Sequence, residues 1–407
     1  MNMCNVSKNS LYEKAILNLI RQHGLVSRKK LQEYTHIRFA TITEITKKLI
    51  DDGLVVENGT IRETGLKKAL SINRERYRLM GMTVTKDQLL CMTIDLLGQE
   101  TDRAVYPINE LIGGPDFVRL VSSVYQNAVS GNPNHVFLGL GISISAAFDL
   151  ERTQIVLSDR HINLRHVPLL DMLREVIQIP VFLETTNNAH MLAEKWFGQT
   201  DAESTLYVEI SESIAAGIMI HNKVVRGMFG IEGELGHTIV ERNGRLCTCG
   251  NRGCLETVAS ERVLKDTLRQ MLGQGAHSMV TELCGGNLSG MTIQMIYDAA
   301  AHGDKLCTTL LEDASEYIGI SVANLINLFG PGVVIFGGEG IEPDSIYVKM
   351  IIDVIKRNVF QGNRAAGEVP IQFHVSNYSA WGAALGAAAL AFAHFYNSEQ
   401  ILSLGIL

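Results

Sequence analysis

The sequence has no run of eighteen or more apolar residues, so nothing in it reads as a membrane-spanning helix. Its N-terminus lacks the apolar core and small-residue cleavage site of a secretory signal, and the expectation is a cytoplasmic protein. Cysteine is scarce. There are seven in 407 residues, and three of them crowd between Cys247 and Cys254. That distribution argues against a disulfide framework and for a metal site in a reducing compartment, with Cys4, Cys91, Cys284 and Cys307 as ordinary thiols. Positive charge is also in deficit: 36 Lys and Arg against 43 Asp and Glu give a formal net charge of −7, which argues against a uniformly basic, nucleic-acid-binding surface.

The deficit is unevenly spread. Residues 1–74 hold thirteen basic and seven acidic side chains, a net +6, which leaves −13 on the remainder. A basic head on an acidic body concentrates the attraction for phosphate in one place and repels DNA elsewhere. A chain of this length exceeds one compact core, and two or three domains are expected. The division anticipated is a head over 1–74 and a body over 75–407. The body would form one lobe of about 75–187 plus 385–407 and a second of about 188–384.

Within the head, Leu11, Ala15, Ile16, Leu19 and Ile20 recur at helical spacing, predicting a helix from Leu11 to His23 that Gly24 ends. Ser27 stands as the N-cap of a short helix through Tyr34, closed by a turn at Thr35–Arg38. A third helix is expected over roughly 40–52, stopped by Gly53, with Ile42, Ile45, Leu49 and Ile50 buried. Its other face offers Thr41, Thr43, Glu44, Lys47 and Lys48. Short hydroxyl side chains there suit base edges in a major groove, and lysines suit phosphates. Leu54–Val56 and Thr60–Arg62 read as a hairpin about Asn58-Gly59, a two-residue turn signal. Three helices and such a wing make a winged helix-turn-helix. Its candidate DNA contacts are Arg38, Thr41, Thr43, Glu44, Lys47 and Lys48, with Lys67 and Lys68 following the wing.

From about Arg76 strands alternate with helices, the pattern of an α/β fold. Strands are expected at Tyr77–Val84, Leu89–Leu96, Val136–Ile144, Val181–Glu184, Leu206–Ile210 and Val333–Phe336, the last entering Gly337-Gly338. The small-residue stretch Ala380–Ala393 reads as a core helix. The sharpest signal is Gly233-Glu234-Leu235-Gly236-His237, followed by Cys247-Thr248-Cys249-Gly250-Asn251-Arg252-Gly253-Cys254-Leu255-Glu256. His237, Cys247, Cys249 and Cys254 complete a tetrahedral zinc set, with glycines permitting the tight turns between ligands. Four protein ligands leave no position for water, so the zinc would be structural, which argues against a zinc hydrolase.

The string from Glu234 to Glu256 resembles the signature of the ROK family (repressors, open reading frames, kinases) without a gap. The head resembles the MarR-like winged helices that precede the body in ROK repressors, so the resemblance spans nearly the whole chain. After the wing, where the family often reads Gly-Gly-Arg-Pro, this chain reads Thr64-Gly65-Leu66-Lys67-Lys68. The resemblance implies an actin-like (RNase H-like) two-lobed body with a structural zinc site. It implies further that His237 frames a sugar pocket, and that Glu234 and Glu256 accept hydrogen bonds from sugar hydroxyls. A plainer reading of Glu256 is a carboxylate at a helix N-terminus.

The kinase members of the family carry three features that this sequence lacks. Their first phosphate turn, Asp-x-Gly-Gly-Thr, is replaced by Thr83-Val84-Thr85-Lys86-Asp87, which loses both glycines and gains a negative charge. Their second, Gly-Thr-Gly, becomes Ser211-Glu212-Ser213, and a glutamate there repels a triphosphate. Their Glu-Asn-Asp-Ala-Asn, whose aspartate is the catalytic base, becomes Glu184-Thr185-Thr186-Asn187-Asn188, and a threonine is no general base near neutral pH. Thr185 and Thr186 remain as uncharged effector contacts. Ser145-Ala146 stands where a Pro-Gly turn usually lines the pocket. The expectation is a regulator rather than an enzyme: a repressor of carbohydrate genes that binds double-stranded operator DNA as a homodimer or tetramer. A carbohydrate effector in a non-catalytic, kinase-like cleft would control it. The alternatives are control by a protein partner, such as a transporter domain, and a sugar kinase fused to a head.

Overall fold

A computed structural model describes residues 8–63, 65–108, 112–158, 162–227, 230–360 and 371–396, with the backbone alone described at 8–10, 61–63, 65–67 and 379. The chain divides into two units. Unit 1 comprises Met1–Ala146, Glu151–Glu184 and Ala384–Leu407, and unit 2 comprises Ala147–Leu150 and Thr185–Ala383. Cys4 lies outside the described residues. Among the described residues no helix is long and apolar enough to cross a membrane.

Unit 1 begins with three helices, α1 (Lys8–His23), α2 (Arg28–Thr35) and α3 (Phe39–Asp51). Ser27 caps α2 by accepting the Lys30 N–H at 3.1 Å, and His36 closes it in the left-handed conformation with φ 55°. The apolar spacing works as anticipated: Ala15, Ile16, Leu19, Ile20, Ile42, Ile45 and Leu49 are buried, while Ile50 is only half-buried. Two antiparallel strands follow, β1 (Val55–Glu63) and β2 (Gly65–Ile72), in a register running from Val55 opposite Ile72 to Glu63 opposite Gly65. This corrects the expected hairpin. Asn58-Gly59 is not its turn but lies inside β1, where the register shifts between Glu57 and Thr60 and Gly59 takes φ +71°. A glycine at positive φ serves a bulge as well as a turn, so the dipeptide alone does not say which.

The rest of unit 1 is built on β3 (Tyr77–Val84), β4 (Gln88–Ile94), β5 (Glu100–Pro107), α4 (Gly114–Gly131) and β6 (Val136–Ile144). The short β7 (Ala146–Phe148) lies at the first crossing into unit 2. The chain returns through β8 (Ile155–Ser158), β9 (Arg165–Val167), α5 (Leu169–Val176) and β10 (Val181–Thr185). The main sheet has the order β10-β6-β3-β4-β5, with β3 antiparallel to β4 and parallel to β6.

Unit 2 contains α6 (Thr186–Phe197), β11 (Thr205–Ile210), β12 (Ile214–Ile220), β13 (Lys223–Val224), α7 (Glu256–Ala259), α8 (Glu261–Gly273), α9 (Val280–Leu283), α10 (Ile293–Ala301), α11 (Lys305–Phe329), β14 (Val333–Gly337), α12 (Ile346–Asn358) and β15 (Gln372–Val375). Its sheet reads β13-β12-β11-β14-β15, so each main sheet places its first strand in the middle, a hairpin-linked pair on one side and later strands on the other. The sheet is covered on both faces. Val208, Ile210, Val334 and Phe336 pack with Leu311, Ile318, Val322 and Ile351 of α11 and α12, while Tyr207, Met219, Val333 and Ile335 pack with Met191 of α6. Strands buried on both faces explain the near-continuous apolar runs seen in the sequence.

The last described helix, α13 (Gly382–Tyr396), lies almost wholly in unit 1, and its alanines approach the sheet at van der Waals distance. A Cβ on Gly81 would collide with the Ala384 carbonyl, and one on Gly141 with that of Ala387. Ala384, Ala387 and Ala388 are fully buried there, in agreement with the core-helix expectation.

Candidate effector site and metal knuckle

The candidate effector residues all fall in unit 2, and three of its segments come to β12. Gly217 admits the first turn of α6, since a Cβ there would stand 2.7 Å from the Asn187 carbonyl oxygen. The Ala216 N–H donates to the Gly233 carbonyl at 2.7 Å, and Gly233 takes φ +80° against the Ala216 carbonyl. Gly236 sits on the Ile214 carbonyl, and a Cβ there would lie 3.4 Å from the Cβ of Glu256. The glycines around Glu234 and His237 are thus required by close backbone approach.

Thr185 is the first residue of unit 2 after the crossing from Glu184 and the N-cap of α6, its hydroxyl accepting the Asn188 N–H at 3.3 Å. Thr186 Oγ1 is buried and has no hydrogen-bond partner among the described residues, which is unusual for a buried hydroxyl. Glu234 is half exposed, with a carboxylate oxygen 3.8 Å from His237 Nε2. Glu256 is buried, opens α7 and lies 3.7 Å from Arg262, which agrees with the plain helix-terminus reading.

The other ring nitrogen of His237 faces the knuckle. Its Nδ1 is 3.6 Å from Cys247 Sγ, Cys249 Sγ is 3.6 Å from Cys254 Sγ, and the four donor atoms all lie within 4.8 Å of one another. Zinc–sulfur bonds of about 2.3 Å place tetrahedral ligand atoms about 3.8 Å apart, so the four residues fit a metal ion. The backbone preforms the loop: Cys247 N–H donates to Asn251 O at 2.7 Å and Gly253 N–H to Arg245 O at 2.9 Å, with Gly250 at φ +95° and Gly253 at φ +73°. Burial pushes the Cys254 thiol up to about 12, whereas the Asn251 backbone N–H draws the Cys249 thiol below its ordinary value. A divalent cation would hold all three sulfurs as thiolates, and the Glu234 carboxylate opposite Nε2 would orient the imidazole.

The turns that kinases use for phosphate are occupied otherwise. Thr85 closes its turn onto Gln88 O through its N–H at 2.9 Å and its hydroxyl at 3.1 Å. Ser211 N–H donates to Ser213 O at 3.0 Å, while Glu212 pairs with Lys265 at 3.2 Å. Gly337 and Gly338 have packing reasons of their own, because a Cβ on either would strike the Tyr207 hydroxyl or the Ile210 carbonyl.

On the head, Arg38, Thr43, Glu44, Lys47 and Lys48 are exposed and Thr41 is half-buried. The Thr43 hydroxyl donates back to Phe39 O at 2.9 Å. Lys48 is held by Glu13 at 2.7 Å, and that hydrogen bond raises the lysine above its ordinary pKa. Lys68 lies 3.0 Å from Glu57, which also takes Arg28 at 2.6 Å; the side chain of Lys67 lies outside the described residues. Such exposed pairs are worth little, so phosphate can compete for either lysine.

Residues 120–394 match the ROK family. The chain belongs to the ROK family. The xylose repressor of Caldicellulosiruptor bescii is 29% identical to it over 352 residues, covering 85% of this chain and 87% of that protein. The DNA-binding transcriptional dual regulator NagC of Escherichia coli (strain K12) is 28% identical over 358 residues, covering 87% and 86%. Among solved structures, a ROK family transcriptional regulator homologous to the Escherichia coli MLC protein superposes with a TM-score of 0.82 at 25% identity and covers 98% of each chain. A ROK family glucokinase from Streptomyces griseus, in complex with glucose and AMPPNP, shares the fold at a TM-score of 0.66 and 24% identity, covering 77% of this chain and 98% of its own. The ROK chain therefore has a mixed α/β fold common to regulators and sugar kinases.

Three features escaped the sequence. Arg28 donates to Thr46 Oγ1 at 2.8 Å besides pairing with Glu57, tying α2 to α3 and β1. Arg152, at φ 55°, forms an ion pair of 2.6 Å with fully buried Glu184 inside unit 1. Asn188 donates through its amide to Glu232 Oε1 at 2.9 Å. None of the three had a signal in the sequence, because their partners lie 29 to 44 positions apart.

Proposed function

We propose that this ROK protein is a sequence-specific DNA-binding repressor of carbohydrate uptake or metabolism genes, relieved by a sugar or sugar derivative, and not an enzyme. The single observation that carries the reading is the difference in coverage. The regulator structure accounts for 98% of the chain, whereas the glucokinase accounts for 77% while using nearly all of its own length. The relatives that match over most of their own length, a xylose repressor and a transcriptional dual regulator, agree with it.

Residues 1–74 act as a winged helix-turn-helix head, with α3 in the major groove and Arg38, Thr41, Thr43, Glu44, Lys47, Lys48, Lys67 and Lys68 as the contact set. The three helices, the strand pair and the local +6 charge support this. Residues 75–407 act as the effector-binding and oligomerising body, and a homodimer would present two heads to a pseudo-palindromic operator. Thr185, Thr186, Glu234, His237 and Glu256 contact the effector, and His237, Cys247, Cys249 and Cys254 hold one structural zinc. Zinc stiffens the loop that carries Glu234 and Glu256 and takes no part in chemistry. A turn closed on itself at Thr85 and threonine at position 186 leave no phosphate cradle or general base, which supports the non-enzymatic reading. Relief of repression is a population shift, and it requires the sugar to bind the DNA-free conformation more tightly than the DNA-bound one.

The test is enrichment of sheared genomic DNA by the purified protein, sequenced with and without mixed sugars. A few discrete sites beside carbohydrate genes, lost when sugar is added, are expected. Absence of enrichment under every condition would overturn the reading, and sites insensitive to every sugar would point to control by a protein partner.

A further inference from the structure

We propose that Glu232 is a specificity-determining residue of the effector site, positioning Asn188 on the first turn of α6 and excluding sugars that carry a phosphate. This rests on the effector reading above and narrows its ligand class to uncharged polyols. Thr186 and Asn188 share that first turn. The Thr186 hydroxyl is buried without a partner among the described residues, so it offers a hydrogen-bonding position that a ligand would satisfy. Asn188 is 1% exposed, its N–H bound by Thr185, and its amide donates to Glu232 Oε1 at 2.9 Å. The other oxygen, Oε2, accepts the Gly227 N–H at 3.1 Å. One carboxylate therefore joins the start of α6 to the segment that runs from Gly227 into Gly233 and Glu234.

The charge follows from the same placement. Glu232, Glu234 and Glu256 belong to segments laid along β12 beside the α6 turn, and position 186 itself carries a hydroxyl rather than a charge. A sugar hydroxyl donates to any of these carboxylates and can both donate to and accept from Thr186. A phosphate dianion has no proton to donate and is repelled by any carboxylate it approaches. The arrangement thus rewards hydroxyls and penalises phosphate.

The measurement is calorimetric titration of the full-length, metal-loaded protein with a panel of neutral pentoses, hexoses and N-acetylhexosamines, each beside its terminal phosphate. At least one neutral sugar should bind, with its phosphate weaker by about 100-fold. Glu232→Gln keeps one oxygen for Asn188 but removes the charge and the acceptor of the Gly227 N–H, and it should narrow that ratio by about tenfold at a small cost in melting temperature. Glu232→Asp should restore the ratio in part. Asn188→Ala keeps the charge, so it should weaken both ligands while leaving the ratio as in the wild type. A purely structural Glu232 would change both affinities alike in Glu232→Gln, and that outcome overturns the proposal. A phosphate that binds the wild type as tightly as its parent sugar overturns it without any variant. Failure of every compound to bind removes the effector reading itself and this proposal with it.

Discussion

The two main sheets share a strand order, yet their glycines serve different ends. In unit 1, Gly81 and Gly141 let α13 settle onto the sheet through backbone carbonyls and alanine methyl groups. In unit 2, Gly217 makes room for the first turn of α6, and Gly233 and Gly236 bring Glu234 and His237 against β12. Unit 2 also carries a long excursion between β13 and β14 that holds the His/Cys knuckle and the helices from α7 to α11. One topology thus supports a packing role in one unit and candidate ligand positions in the other, and the difference lies in what approaches the glycine.

The most severe way to break this contrast is at the knuckle. Cys254→Ser, or stripping metal from the wild type with a chelator, should remove bound zinc and destabilise unit 2 by more than about 3 kcal/mol. Elemental analysis and thermal melting read the two effects together; a variant that melts like the wild type would show the knuckle to be dispensable. Next in size is Gly141→Ala, which forces a methyl group into the Ala387 carbonyl and should cost about 3 kcal/mol while leaving zinc content unchanged. Gly217→Ala meets the Asn187 carbonyl at 2.7 Å and the Met191 Cβ at 2.9 Å, both on α6, and should weaken sugar binding as well as lower the melting temperature.

A smaller effect should appear with pH. Glu261 opens α8 fully buried, without a hydrogen-bond partner among the described residues; burial, reinforced by Glu339, pushes its carboxyl up to about 9. A carboxyl with a raised folded pKa contributes stability that is complete below the unfolded value near 4.5 and is lost as pH rises toward 9. Glu261→Gln should therefore be nearly neutral at pH 5 and stabilising by on the order of 2 kcal/mol at pH 8. Denaturant melts at the two pH values check this, and an equal effect at both would contradict the buried neutral acid. The smallest expected effect is on the head. Lys47→Ala should weaken binding to every DNA sequence and reduce the slope of log affinity against log salt by about 1, with no change in stability.

The elements carrying strong periodicity were legible before the structure. The helices of the head, the Ser27 cap, the strands at 77–84, 136–144 and 205–210 and the alanine-rich final helix all lie where apolar spacing puts them. The knuckle was legible because four ligand-type residues with intervening glycines have few other uses, and their donor atoms do converge. The wing was misread at Asn58-Gly59, since positive φ is shared by turns and bulges and only strand pairing distinguishes them. Long-range polar pairs were illegible for a different reason. Arg28 with Glu57, Arg152 with Glu184 and Asn188 with Glu232 join residues 29 to 44 positions apart, and no local pattern encodes such partners. Lys48 and Lys68 looked like free cations in the sequence, but they face Glu13 and Glu57.

The central claim is that a sugar held by residues of unit 2 governs DNA binding by the head. It is tested most directly by anisotropy of a labelled operator titrated with the recognised sugar, for the wild type and for Thr186→Val, which removes a hydroxyl that has no partner among the described residues while keeping its shape. The wild type should release the operator as sugar is added, and Thr186→Val should bind the operator equally well but require about tenfold more sugar for release. Equal release of both proteins, or release of neither by any sugar, would contradict the account.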